Sequence, residues 1–285
     1  MGLKMLYKQI KSIPKKIIIK KLNDFFKEDE ILEDETSNIF IDPKTQAVVD
    51  FVSEFEGVFC GAEIIKNAFS EKCKVTNFIG DGFKVKPTMK LARVEGPAFE
   101  ILRKERVVLN LVQKMSGVST ETSKYISKAY RKNIKILDTR KTTPGIRIFE
   151  KYAVKCGGGT NHRMSLKKGI MIKDNHIGAN ESISAVLKKA KNRKVPIQVE
   201  IDNKKQLEEA IRFDIDAVLL DNMEPEEIKK CIQIIKEKKE NIFIEVSGGI
   251  TIKSINRYLI KGVDAISVGA IIHQAQFKNI KLEHI

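Results

Sequence analysis

The sequence predicts an α/β protein: an α+β unit over residues 1–115, then a βα array over 116–274 with six strand-like runs, barrel-like (TIM-barrel-like) rather than an open sheet. Three observations carry this. Up to about Met115 the hydrophobic rhythm is mixed, with one amphipathic stretch, short strand-like runs and a long helical pattern, as in an α+β unit. From residue 134 it becomes regular, with short apolar runs separated by helical patterns. Strands buried on both faces read as continuous apolar runs, and alternation with helices makes them parallel. Nearly every run then ends in a residue with functional chemistry, as barrel strands do where their following loops converge. That register favours a barrel over an open doubly wound sheet.

Taken in order, the first element is an amphipathic helix in IPKKIIIKKLNDFF, with Pro14 near its start, where helices tolerate proline. QAVVDFV, GVFCGAE and KLARVEG read as strands, and GDG at 80–82 as a turn between them. A long helix begins near Ala98 in AFEILRKERVVLNLVQKM, and Gly117 interrupts it. The barrel strands are IKILDT (134–139), GIMIKD (169–174), PIQVEI (196–201), DAVLLD (216–221), NIFIEVS (241–247) and DAISVG (264–269). NESISAVLKKA, KKQLEEAIRF, EPEEIKKCIQIIKE and TIKSINRYLI are the helices between the later ones, and the tail 275–285 is expected on the first domain.

Length and composition bound the function. A chain of 285 residues with 42% hydrophobic content has ample material for a core. The net charge of +15 is compatible with nucleic acid, an anionic membrane surface or anionic small molecules as partners. The lysines are scattered along helices with glutamates interleaved, the pattern of solvated faces, so neither nucleic acid nor membrane is expected. Cys60, Cys73, Cys156 and Cys231 form no CxxC pair and read as reduced core thiols rather than a zinc or redox motif. His162 and His176 lack metal-ligand spacing. No secretory segment is visible and every apolar run falls short of the ~20 residues that span a bilayer, so the expected location is cytoplasmic.

The strand endings are Asp138, Lys173, Glu200, Asp221, Ser247 and Gly269. SGGIT (247–251) and SVGA (267–270) follow the last two strands, and there Ser247, Gly248, Gly249 and Gly269 offer backbone N–H groups at helix starts, a phosphate-binding device. Arg140, Lys141, Arg163 and Lys173 gather positive charge at the same mouth, which an anionic ligand would neutralise, and guanidinium groups suit carboxylate or phosphate. Glu200 and Asp221 can serve as acid and base, as partners of the cations, or as Mg²⁺ ligands, the last being favoured because Mg²⁺ combines few carboxylates with substrate phosphates. Gly157, Gly158 and Gly159 form a turn or allow close backbone approach to a ligand. Glu105 and Arg106 read as a solvated pair within the long helix.

DTRKTTPG, EKYAVKCGGGTNHR, IKDNH, VEI, LLDNM, SGGIT and GVDAISVGA, in this order, resemble the quinolinate phosphoribosyltransferase family over nearly the whole chain. The resemblance implies phosphoribosyl transfer from phosphoribosyl pyrophosphate (PRPP) to quinolinate with decarboxylation, an N-terminal sandwich before a partly open barrel, and a homodimer with shared active sites. It implies that Arg140, Lys141, His162, Arg163 and Lys173 line the quinolinate and ribose region, with Arg106 entering from the other subunit. Glu200 and Asp221 would handle ribose hydroxyls and Mg²⁺, and Ser247, Gly248, Gly249 and Gly269 the phosphate; Lys141, Lys173, Glu200 and Asp221 form the implied catalytic set. The chain departs from the family pattern at Ile31 and Glu33, where glycines are usual, and at Ile272, Gln274 and Asn279. The alternatives are a phosphoribosyltransferase for another pyridine base and a non-catalytic anion-binding relative.

Overall fold

The computed structural model describes residues 6–180, 182–190, 194–239 and 241–285. In chain order it runs α1 (Lys15–Glu28), α2 (Glu35–Phe40), β1 (Gln46–Ser53), β2 (Gly57–Val58), α3 (Ala62–Ala68), β3 (Lys74–Asn77), β4 (Lys84–Val85), β5 (Lys90–Pro97) and α4 (Ala98–Ala129). There follow β6 (Lys135–Leu137), α5 (Arg147–Cys156), β7 (Ile170–Ile172), α6 (Asp174–Gly178), α7 (Ile183–Ala190), β8 (Ile197–Ile201) and α8 (Lys204–Ala210). The chain closes with β9 (Ala217–Asp221), α9 (Pro225–Lys238), β10 (Phe243–Ser247), β11 (Ala265–Ser267), α10 (Ala270–His273) and β12 (Ile280–His284). Two compact units result: residues 10–123, 143–158 and 274–285 in one, and 124–142 and 159–273, with the described residues up to Gln9, in the other. The first of these compact units ends within α4 and takes in the segment carrying α5.

The N-terminal unit is built on an antiparallel sheet of order β12-β1-β5-β3. Five consecutive buried residues at the end of β1 mean that this sheet is covered on both faces. Ile18, Leu22 and Phe26, spaced four apart on α1, form the stripe that the helix buries. Asp50, 1% exposed in β1, takes Arg93 through two hydrogen bonds of 2.8 and 3.0 Å and Lys90 at 2.7 Å. The C-terminal tail pairs along β1 from Ser53↔Ile280 to Val49↔His284.

Three sequence expectations change here. Gly117 does not interrupt α4; the helix runs through it because a Cβ at that position would collide with the Gln276 carbonyl, so glycine is present to admit the tail. GVFCGAE is not one strand: β2 stops at Val58, and Gly61, at φ +146°, leads into α3, whose first N–H groups Asp81 accepts. TIKSINRYLI forms only a 3₁₀ turn over Ile255–Tyr258.

In the second unit six parallel strands lie in the order β6-β11-β10-β9-β8-β7. The first strand of the run bonds the last, as a closing βα barrel requires, and the seam falls between β6 and β7. Thr160 fills part of it as a seventh, single-bridge strand beside Leu137, giving and taking backbone bonds of 2.8 and 3.1 Å with Ile136 and Asp138. The interior holds Leu137, Ala217, Phe243 and Ala265, with Leu6 packed against them. No helix among the described residues is long and apolar enough to cross a membrane.

The Arg93 guanidinium holds the Asp50 carboxyl below its ordinary value. A depressed folded pKa stabilises above the unfolded value of about 3.9, and the contribution is lost as pH falls through the folded one. Asp50→Asn is therefore expected to lower the unfolding free energy at pH 7 by about 2 kcal/mol, with the gap to wild type closing below about pH 4. Urea melts at stepped pH measure this.

Candidate active site

The carboxyl ends of the barrel strands carry a connected set of polar side chains. Lys173, which follows β7, pairs with Glu200 in β8. Burial pushes the Glu200 carboxyl above its ordinary value, Lys173 opposes this, and the neighbouring Asp221 pushes it further up. Asp221, ending β9, accepts the Ser247 hydroxyl from the end of β10 and the Asn222 amide at 2.7 Å. Two pairs of neighbouring strand ends are thereby linked, and the two carboxylates between them repel each other.

Asn222 takes φ +52°, which asparagine tolerates better than most residues, and its N–H donates 3.1 Å to the Ser247 carbonyl. Gly248 lies against it at φ +106°; any Cβ there would strike the Asn222 backbone. The glycines after β10 thus shape a tight turn at the mouth, with Gly249 in open space at φ +54°. Because a 3₁₀ turn and not an α-helix follows, no α-helix dipole reinforces Ser247, Gly248 and Gly249, contrary to expectation. Beside the next strand, a Cβ at Gly269 would come within 3.1 Å of both Lys141 and His273, so these three residues adjoin.

The opposite wall is the 138–163 region. Asp138, fully buried, accepts the His162 N–H at 2.8 Å and the Asn161 amide at 2.7 Å. It is a clamp on the chain and not, as its strand-end position suggested, a group of the open mouth. The Arg163 guanidinium, 6% exposed, donates 2.8 Å to the Gly169 carbonyl ahead of β7 and so spans the seam. Burial lowers its pKa; Tyr7 opposes this, and Arg140 adds to the lowering, which places Arg140 within electrostatic range of it. Arg140 and Lys141 themselves are exposed.

His162 faces inward. Its ring stacks on Tyr7 with centroids 4.5 Å apart, its Nδ1 accepts the Arg163 N–H at 2.7 Å, and its Nε2 lies 3.4 Å from the buried Glu245. Gln198 donates 2.8 Å to the same Glu245 oxygen and accepts the Tyr7 hydroxyl at 2.9 Å. Burial would raise the Glu245 carboxyl, but His162 and Gln198 hold it below its ordinary value. His162 is thus tied to the barrel's polar core through Tyr7 and Glu245.

Arg106 is exposed on α4 in the other unit. Gly157 meets the Ser119 carbonyl and Thr122 of α4, so its closeness is to protein backbone rather than to a ligand. Sequence reasoning missed Asn222, Glu245 and His273. A polar residue within the apolar run NIFIEVS and an asparagine directly after a strand-end aspartate are the signals that mark the first two.

The family profile described as quinolinate phosphoribosyl transferase, N-terminal domain, matches residues 34–116, and its C-terminal domain matches 118–283. A probable nicotinate-nucleotide pyrophosphorylase [carboxylating] of Bacillus subtilis is 42% identical over 271 residues, 93% of this chain and 92% of that one. The nicotinate-nucleotide pyrophosphorylase of Francisella tularensis has a similar structure, with TM-score 0.88, 32% identity, and coverage of 98% of this chain and 100% of that one. NadC from Streptococcus pyogenes is similar at TM-score 0.90 and 31% identity, over 97% of this chain and 100% of that one.

Replacing Asp138 with alanine removes the carboxylate that accepts two buried donors, and we expect a loss of about 3 kcal/mol in unfolding free energy, measured by urea denaturation.

Proposed function

The chain belongs to the quinolinate phosphoribosyltransferase family, and from that premise we propose that it transfers phosphoribosyl from PRPP to quinolinate with decarboxylation, yielding nicotinate mononucleotide, pyrophosphate and CO₂ for NAD biosynthesis. The observation that carries this reading is the row Lys173, Glu200, Asp221 and Ser247, with Lys141 and Arg140 following β6. Quinolinate is a dianion and PRPP carries several charges, so both need a cationic host. Arg140, Lys141, Lys173 and Arg163 supply it in this reading, and Arg106 adds to it from a partner subunit in a cytoplasmic homodimer. Arg163 contributes chiefly by holding the wall in place, since its guanidinium is tied to Gly169.

Glu200 and Asp221 face the ribose hydroxyls in this reading, and Ser247, Gly248, Gly249 and Gly269 the phosphate, with His273 adjoining Gly269 and Lys141. Glu200 and Asp221 also fit Mg²⁺: two carboxylate donors on neighbouring strands are the set this ion takes beside substrate phosphates. When bound, Mg²⁺ offsets charge on the departing pyrophosphate. As the bond from ribose C1 to pyrophosphate breaks, its electrons leave with pyrophosphate and C1 becomes cationic, a charge that the Glu200 and Asp221 carboxylates offset in this reading. The quinolinate ring nitrogen donates its pair to C1 and becomes positive. The adjacent carboxylate then leaves as CO₂, its bonding electrons stay on the ring carbon beside the positive nitrogen, and a proton completes nicotinate mononucleotide. The protein's contribution is positioning and fixed charge.

Purified protein with Mg²⁺, quinolinate and PRPP is expected to release nicotinate mononucleotide and CO₂ in equal amounts, followed by chromatography; a folded protein that forms no product overturns the reading. Lys173→Ala is expected to lower kcat on the order of 100-fold, and Arg163→Ala to raise the KM for quinolinate at least about tenfold. Mixing Arg106→Ala with Lys173→Ala subunits is expected to restore up to about one quarter of wild-type activity if the site is shared between two subunits. No recovery despite demonstrated subunit exchange removes the sharing.

A further inference from the structure

We propose that Cys60, Asp81 and Cys156 form a binding site for a thiophilic divalent cation, zinc by ligand preference, within the N-terminal unit. The two Sγ atoms and an Asp81 carboxylate oxygen all lie within 4.8 Å of one another. With Zn–S near 2.3 Å and Zn–O near 2.0 Å, the ligand atoms of a tetrahedral zinc site lie about 3.3–3.8 Å apart. The three groups therefore need a closing adjustment of about 1.5 Å or less to hold an ion. Two thiols and a carboxylate suit zinc and exclude magnesium, which avoids sulfur.

The ligands come from three separate places: the chain between β2 and α3, the GDG turn, and the last residue of α5. Asp81 is held for the task. Its Oδ1 accepts the Gly61 and Ala62 N–H groups at 2.6 and 2.8 Å, and its Oδ2 accepts the Tyr152 hydroxyl at 2.9 Å. Carboxylates that bind metal are oriented by such outer hydrogen bonds. Among the described residues no lysine or arginine pairs with this half-buried carboxylate, so its charge lacks a cationic counterpart.

Cys60 is fully buried and Cys156 partly exposed, so an ion enters from the Cys156 side. Burial, with the adjoining Cys156, pushes the Cys60 thiol above its ordinary value. Zinc takes cysteine as the thiolate, so any thiol proton passes to solvent as two Zn–S bonds and one Zn–O bond form. Water completes the tetrahedron. Tying three distant segments together, the ion stabilises the unit that carries α5.

The test uses the full-length, chemically reduced protein, stripped with a chelator and titrated with Zn²⁺ against a chromophoric competitor in the presence of excess Mg²⁺. One zinc per chain is expected, and Co²⁺ in its place is expected to show thiolate-to-cobalt charge-transfer absorption. Cys156→Ser and Asp81→Asn are expected to weaken binding at least tenfold, while Cys231→Ser leaves it unchanged. Equal zinc affinity in wild type and Cys156→Ser, or a cobalt spectrum without the charge-transfer band, overturns the proposal and assigns any bound ion to carboxylates elsewhere. Should a variant fail to fold, wild-type protein decides alone: zinc is expected to slow alkylation of Cys156 at least tenfold, and an unchanged rate overturns the site.

Discussion

The barrel is held across its seam by one buried carboxylate. Asp138 leaves β6 fully enclosed and takes a backbone N–H and a side-chain amide from residues 162 and 161, the chain that lies beside it. Hydrogen bonds to a buried charge are among the stronger single contacts in a fold, and here they hold Thr160 in its bridge with Leu137. From that anchor the chain delivers Arg163 to the Gly169 carbonyl ahead of β7. The two edges between which no ladder forms are thus joined by a side chain instead of by strand pairing.

A second polar system lies deeper. Tyr7, Gln198, Glu245 and His162 form a chain of contacts inside the barrel, where apolar side chains would pack without desolvation cost. Gln198 and His162 both meet one Glu245 oxygen, and buried polar contacts of this kind fix orientation more narrowly than apolar packing does. The arrangement sets the tilt of His162, whose Nδ1 holds the Arg163 N–H. The cationic wall therefore rests on two layers, the Asp138 clamp and the inward imidazole. At the other wall, the strand ends pair as Lys173 with Glu200 and Ser247 with Asp221.

Much of this was legible in the sequence because its origin is local. A parallel strand buried on both faces must be a short apolar run, so all six barrel strands stand out, and Lys173, Glu200, Asp221 and Ser247 are readable as their polar ends. Helices with strong signals also appear where expected; Pro225 opens α9 and Ile228, Cys231, Ile232 and Ile235 line its buried stripe. Where the pattern misleads, a distant partner is the cause. Gly117 looks like a break until the tail is placed against it, and Gly157 looks like a ligand contact until α4 is. Asp138 has the chemistry of a site, but it is spent on the Asn161 amide and the His162 N–H inside the protein.

What the sequence by itself determined is the six parallel barrel strands and the polar residues at their carboxyl ends, since periodicity and strand ends depend on neighbours a few residues away. What only the tertiary structure decided is which residues separated by tens of positions meet. Cys60 and Cys156 share no motif, yet the path through the GDG turn and α5 places both beside Asp81. Such meetings are settled by how sheet and helices pack, and no local spacing encodes them.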